Sequence, residues 1–172
     1  EQLQDNLELR IQNPETGLFT RKYIELQTLQ AIALASRCGS NVSVMVLGFD
    51  NFESLCEAHG DEAVAQLQKR FVSILSSKIR KEDSLGHLVG NRLAVVSPGT
   101  PSQGCEIFGS RLRDGIASAN ISIHGQRLSM SLSIGISNIP SDKVNSAEAL
   151  IELADERLSA AQQAGGNRIV SN

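Results

Sequence analysis

The sequence predicts an α+β sandwich: a central mixed sheet with helices packed on its faces, related to the βαββαβ pattern. Three observations carry that prediction. Segments with helical spacing of apolar residues alternate with short apolar runs along the chain. Residues 42–47, Val-Ser-Val-Met-Val-Leu, form the β-branched, apolar run expected of a strand covered on both faces. Residues 84–89 and 92–97 flank Gly90-Asn91, a strong local hairpin signal. With 172 residues, the chain holds one core rather than two domains.

Taken in order, Leu3, Leu7 and Ile11, with Leu9 between them, follow a helical spacing that Asn13-Pro14 ends. Residues 1–12 read as the end of a linker or signalling helix, and 13–172 as the domain. Residues 20–38 predict an amphipathic helix with Thr20 as N-cap and Gly39 as its stop. The run at 42–47 is expected to be the central strand. A short helix is expected at 52–58 and a long one at 61–80, closed by Lys78, Arg80 and Lys81 at the carbonyl end of its dipole. After the hairpin and Pro98-Gly99-Thr100-Pro101, a helix runs to about residue 117. Strands follow at 120–124 and 127–138 around His124-Gly125-Gln126. A last helix spans 146–164 up to Gly165-Gly166, and Arg168-Ile169-Val170 predicts a closing edge strand.

Composition excludes several functions. A formal charge of −3, from 16 basic against 19 acidic residues, leaves no excess of cations for a nucleic-acid backbone. Aromatics make up 3% and Trp is absent, so no stacking platform for single strands exists. No apolar run approaches the roughly 18 residues that span a bilayer, so a membrane is expected only through other parts of a longer protein. Cys38, Cys56 and Cys105 form neither a disulfide framework nor a zinc set, which suits a reducing, cytoplasmic compartment. No secretory signal opens the chain, which reads as a fragment of something larger.

Several motifs stand in register with one family. Residues 13–21, Asn-Pro-Glu-Thr-Gly-Leu-Phe-Thr-Arg, resemble a D-x-L-T-G-L-x-N-R opening. Phe49-Asp50-Asn51-Phe52 resembles the end of D-I-D-x-F, and Ser133-Ile134-Gly135-Ile136 the S-I-G-V strand. Ala154-Asp155-Glu156-Arg157-Leu158, then Gly165 and Asn167-Arg168-Ile169-Val170, resemble a closing A-D-x-A-L-Y-x-A-K-x-x-G-R-N-R-V. From Asn13 onward the chain resembles the GGDEF domains of bacterial diguanylate cyclases, which implies a nucleotidyl-cyclase-like palm.

The resemblance implies the joining of two GTP molecules into cyclic di-GMP, with carboxylates holding two divalent cations over the phosphates. The residues depart from that chemistry. The signature hairpin falls on Val89-Gly90-Asn91-Arg92-Leu93, where Asn91 replaces a metal-binding acid and Arg92 adds a cation. The other metal carboxylate falls on Gly48; Asp50 faces the same side two residues on, but one carboxylate about 6 to 7 Å along a strand makes no two-metal clamp. The guanine-reading positions fall on Cys56 and Ala65, and the phosphate-binding cations on Gln162 and Gly166. The expectation is a degenerate, catalytically inactive domain needing no metal or cofactor.

One motif survives. Family members often bind cyclic di-GMP as an inhibitor at an R-x-x-D ending five residues before the hairpin, and Arg80-Lys81-Glu82-Asp83 stands there. A guanidinium suits a phosphate or guanine edge, and a carboxylate accepts from guanine's N1–H and amine. Arg111 or Arg113 on the next helix falls where a further Arg completes the pocket, Arg111 being favoured. The pattern recurs at Arg111–Asp114, so position carries the weight. The plain alternative has Arg80 capping its helix and pairing with Asp83 in solvent.

Other polar residues read as structural. His59, His87 and His124 lack metal spacing, and His87 reads as a packed or rim residue. Cys56 reads as a small core residue, and Asp155 as a solvated or capping acid. The expected role is cyclic di-GMP reception through Arg80 and Asp83, with Arg111 or Arg113 assisting, passed to a linked sensory or effector domain. The alternatives are a nucleotide-free homodimerising or protein-interaction module, and an active cyclase.

Overall fold

The computed structural model describes residues 18–88, 92–119, 121–128 and 130–172. The predicted lead-in helix, most of the opening motif and the hairpin turn Val89-Gly90-Asn91 lie outside them.

Helix α1 (Arg21–Cys38) starts where the Thr20 hydroxyl accepts from the Tyr23 N–H, and stops at Gly39 in the left-handed region. Strand β1 (Val42–Phe49) is buried along its whole length. Helices α2 (Phe52–His59) and α3 (Asp61–Lys78) follow, then the antiparallel pair β2 (Ser84–His87) and β3 (Leu93–Pro98). Helix α4 (Ser102–Ser118) leads to a small ribbon, β4 (Ser122–Ile123) and β5 (Gln126–Arg127). Strand β6 (Leu132–Ile139), helix α5 (Ala147–Gln163) and strand β7 (Ile169–Val170) complete the chain.

The main sheet has the order β2-β3-β1-β6-β7, so β1 is central as its composition predicts. It runs antiparallel to both neighbours, and β7 joins β6 in parallel. Strand alternation divides the core in two. Met45, Leu47 and Phe49 face α3 and α4, where the Phe49 and Phe71 rings stack 3.8 Å apart. Val42, Val44 and Val46 face α1 and α5. Phe19 covers the free edge of β2: its N–H donates to Leu85 and its carbonyl accepts from His87.

Gly135 explains the Ser-Ile-Gly-Ile motif physically. A Cβ there would stand 2.0 Å from the Ala154 carbonyl oxygen and 2.3 Å from the Leu158 nitrogen. Glycine therefore lets the α5 backbone lie directly on β6, close to the interior ion pair in which Arg157 grips Asp142 at 2.7 and 2.8 Å and the Ile136 carbonyl at 2.7 Å.

Four expectations need correction. The strand expected at 127–138 is two elements: β5 belongs to the ribbon, and β6 begins only at Leu132. The long helix ends at Lys78, leaving Arg80 and Lys81 beyond it. Cys56 is half-buried on α2, a rim helix with no buried residue, while Cys105 is the cysteine in the core, its thiol pushed by burial up to about 12. Asp155 is neither solvated alone nor a cap, because Arg92 pairs with it.

Candidate functional site

Two concavities flank the hairpin strands. The first, about 850 Å³, lies where β1 passes into α2 and is lined by Asp50, Glu53, Arg92, Gln162 and Gly166 among others. Its floor is closed over Gly48. A Cβ on Gly48 would lie 2.9 Å from Gln162 Nε2 and 3.1 Å from Leu158 Cδ2. Arg92 reaches across to α5, donating to Asp155 Oδ1 at 2.5 Å, to the Asp155 carbonyl at 3.2 Å, to Ser159 Oγ at 2.9 Å and to Gln162 Oε1 at 3.4 Å. That guanidinium ties the hairpin to the closing helix.

Asp50 is committed elsewhere. It accepts from Ser131 Oγ at 2.5 Å, Ser133 Oγ at 2.6 Å and the Asn167 N–H at 2.8 Å. Both carboxylate oxygens are thereby engaged, and a Cβ on Gly166 would meet them at 2.7 and 2.9 Å. Cys56 and Ala65 are not among the residues lining the cleft. With Gln162 over Gly48, Arg92 across the opening and both Asp50 oxygens hydrogen-bonded, this donor set does not fit a pair of divalent cations. Among the described residues no group of three or more His, Cys, Asp or Glu side chains has the arrangement of a metal site.

The second concavity, about 720 Å³, runs along α4 from Thr100, Pro101 and Gly104 past Phe108 to Gly115, with Lys78 and Arg80 on its other wall. Arg80 is held from behind. Its backbone N–H and its Nε both donate to Asp83 Oδ2, at 3.2 and 3.4 Å, and its Nη2 donates to Thr100 Oγ1. The Asp83 side chain is fully buried, so the pair is not the solvent contact of the plain alternative. Burial pushes the Asp83 carboxyl above its ordinary range, against the Arg80 amide and guanidinium that favour its charge. Asp83 thus aims Arg80 rather than forming the groove wall.

Arg111 lines the same groove from α4. Arg113 does not: two residues on, it stands about 200° round the helix. Its Nη1 donates to the Asn167 carbonyl at 3.4 Å, and its Nη2 lies 3.9 Å from Asp114. The groove also meets the first turn of α4, whose N-cap position, Pro101, provides no side-chain bond, so the positive end of the dipole adds to Arg80. Guanidinium groups, half-buried aromatic carbon from Phe108, exposed aliphatic carbon from Ile107, and an amide-rich helix end suit an anion carrying flat rings.

Sequence reasoning placed Arg80 and Arg111 but gave Thr100 no role, because it meets Arg80 across 20 residues. His59 and His124, distant in sequence, share a third cleft beside α3. His87 is half-buried, and burial holds its pKa below the ordinary value.

A family model for the diguanylate cyclase GGDEF domain matches residues 12–168. The chain belongs to the GGDEF family. It is 28% identical over 167 residues to the diguanylate cyclase DgcP of Pseudomonas aeruginosa, covering 97% of this chain and 25% of that protein. It is 26% identical over 170 residues to the response regulator PleD of Caulobacter vibrioides, covering 98% and 37% respectively. This GGDEF domain therefore spans well under half the length of those relatives. Its fold matches the GGDEF domain of DgcB from Caulobacter crescentus, solved in complex with c-di-GMP, with a TM-score of 0.85 at 19% identity over 94% of this chain and 95% of that one. The FimX GGDEF domain from Pseudomonas aeruginosa matches with a TM-score of 0.86 at 19% identity, over 95% and 100%. The sandwich expected from the sequence is the fold of this family. No helix among the described residues is long and apolar enough to cross a membrane.

Proposed function

We propose that this GGDEF domain works in cyclic di-GMP signalling in the cytoplasm as a catalytically inactive receptor, binding cyclic di-GMP in the Arg80 groove and passing its occupancy to a linked domain. The observation that carries the reading is the convergence of Arg80 and Arg111 on one groove beside Phe108, with Arg80 pre-aimed by Asp83 and Thr100. Preorganisation of that kind lowers the ordering cost of binding. Inactivity is supported by Gln162 over Gly48, by the Arg92–Asp155 pair across the signature cleft, and by the hydrogen bonds that engage both Asp50 oxygens. Calorimetric titration with cyclic di-GMP is expected to show micromolar binding that Arg80→Ala abolishes, and titration with GTP plus Mg²⁺ to show no heat. No heat with cyclic di-GMP at high concentration sinks the receptor reading.

A second reading, a nucleotide-free interaction module, is favoured by one observation: Leu26, Leu29 and Leu34 stand exposed on α1. Sedimentation equilibrium separates the two. A dimer weakened by Leu29→Glu, together with a silent titration, supports the module.

A further inference from the structure

Lys78 ends α3 and lines the groove, although the R-x-x-D motif does not include it. Its position is made by a glycine on the opposite helix. A Cβ on Gly115 would fall 2.4 Å from Lys78 Cε, 3.1 Å from its Cδ and 3.2 Å from its Nζ. The lysine stem therefore lies flat on bare α4 backbone, with its ammonium at the groove.

Charge gives that position a meaning. The Arg80 guanidinium is already shared with Asp83 and Glu82, at 3.4 and 3.6 Å. Asp114 also lines the groove, but its ion pair is with Arg113. Among the described residues, no ion pair engages Lys78 or Arg111. The groove thus offers two uncommitted cations side by side, Lys78 lying on α4 at Gly115, one turn along from Arg111, which together suit one phosphodiester of an anionic ligand.

We infer that Lys78, seated on Gly115, is a further ligand-binding residue of the groove: with Arg111 it holds one phosphate of a cyclic dinucleotide, while Arg80 anchors the ligand. This rests on the receptor reading above. A methyl group at 115 pushes the Lys78 Cε off this seat, a shift that the flexible side chain makes by moving its ammonium.

The test is calorimetric titration of the domain with cyclic di-GMP, and with GMP as a one-phosphate control. Lys78→Ala is expected to weaken cyclic di-GMP binding about tenfold, the size of one charge-assisted hydrogen bond, and to weaken binding of GMP, whose single phosphate takes the same pair of cations, by a similar factor. Lys78→Arg restores most of the affinity. Gly115→Ala weakens binding similarly without lowering the melting temperature, because alanine favours the helix. In a Lys78→Ala background Gly115→Ala has no further effect, a coupling that a merely structural glycine does not produce. If the parent binds and Lys78→Ala binds equally well, the inference is overturned while the receptor reading stands. If the parent binds neither ligand, both fall.

Discussion

Restoring the missing metal carboxylate tests the closed cleft directly. Gly48→Asp places a Cβ 2.9 Å from Gln162 Nε2 and 3.1 Å from Leu158 Cδ2, in a strand buried along its whole length. Overpacking of this kind costs about 1–3 kcal/mol, and a non-glycine residue in a strand returns roughly 0.5 kcal/mol of backbone entropy. A net loss of about 1.5 kcal/mol results. With a urea m-value of about 2 kcal/mol/M, the unfolding midpoint falls by about 0.75 M. Adding Gln162→Ala removes the nearer clash but leaves Leu158, so about half of the loss is recovered. Far-UV circular dichroism in urea reads the parent and both variants, with and without Mg²⁺. An unchanged midpoint for Gly48→Asp, raised further by Mg²⁺, refutes the reasoning, because the cleft then has room for both carboxylate and cation.

Three further outcomes follow from the same geometry. Gly135→Ala is expected to cost about 3 kcal/mol or more, since the atoms it meets, the Ala154 carbonyl and the Leu158 amide, are backbone and cannot rotate away; denaturant unfolding checks this. The hydrogen bonds from Arg157 hold the Asp142 carboxyl below its ordinary value, so its contribution to stability is complete above the unfolded-state value near 3.8 and is lost as pH falls through the folded-state value. Melting temperatures of the parent and Asp142→Asn should converge on acidification below about pH 4; parallel curves contradict that. Arg111→Ala should weaken cyclic di-GMP binding by tenfold or more, and Arg113→Ala by less than twofold, because only Arg111 lines the groove.

Features governed by neighbouring residues were readable in the sequence. Thr20 and Gly39 cap their helix through bonds spanning only a few residues, and the β-branched run of β1 reports burial on both faces. The misread strand shows where such reasoning stops. Leu128, Met130, Leu132, Ile134 and Ile136 alternate without interruption, and all five pack into the same core cluster. Alternation records burial, however, and the chain leaves the sheet before Leu132 while Leu128 donates to the Ile121 carbonyl instead. The groove was half legible. Motif position marked Arg80, and helix phase separates Arg111 from Arg113, but the burial of Asp83 and the Thr100 bond depend on elements that only the folded sheet brings together. The Arg92–Asp155 pair, 63 residues apart, left no local trace at all.

The most direct measurement of the central claim is amide chemical-shift mapping during titration of the isotope-labelled domain with cyclic di-GMP. Binding at the groove predicts shifts clustered at Thr100, Gly104, Phe108 and Arg111, with Asp50, Arg92 and Gln162 unmoved. Shifts clustered instead around Asp50, Arg92 and Gln162, or none at all, contradict it.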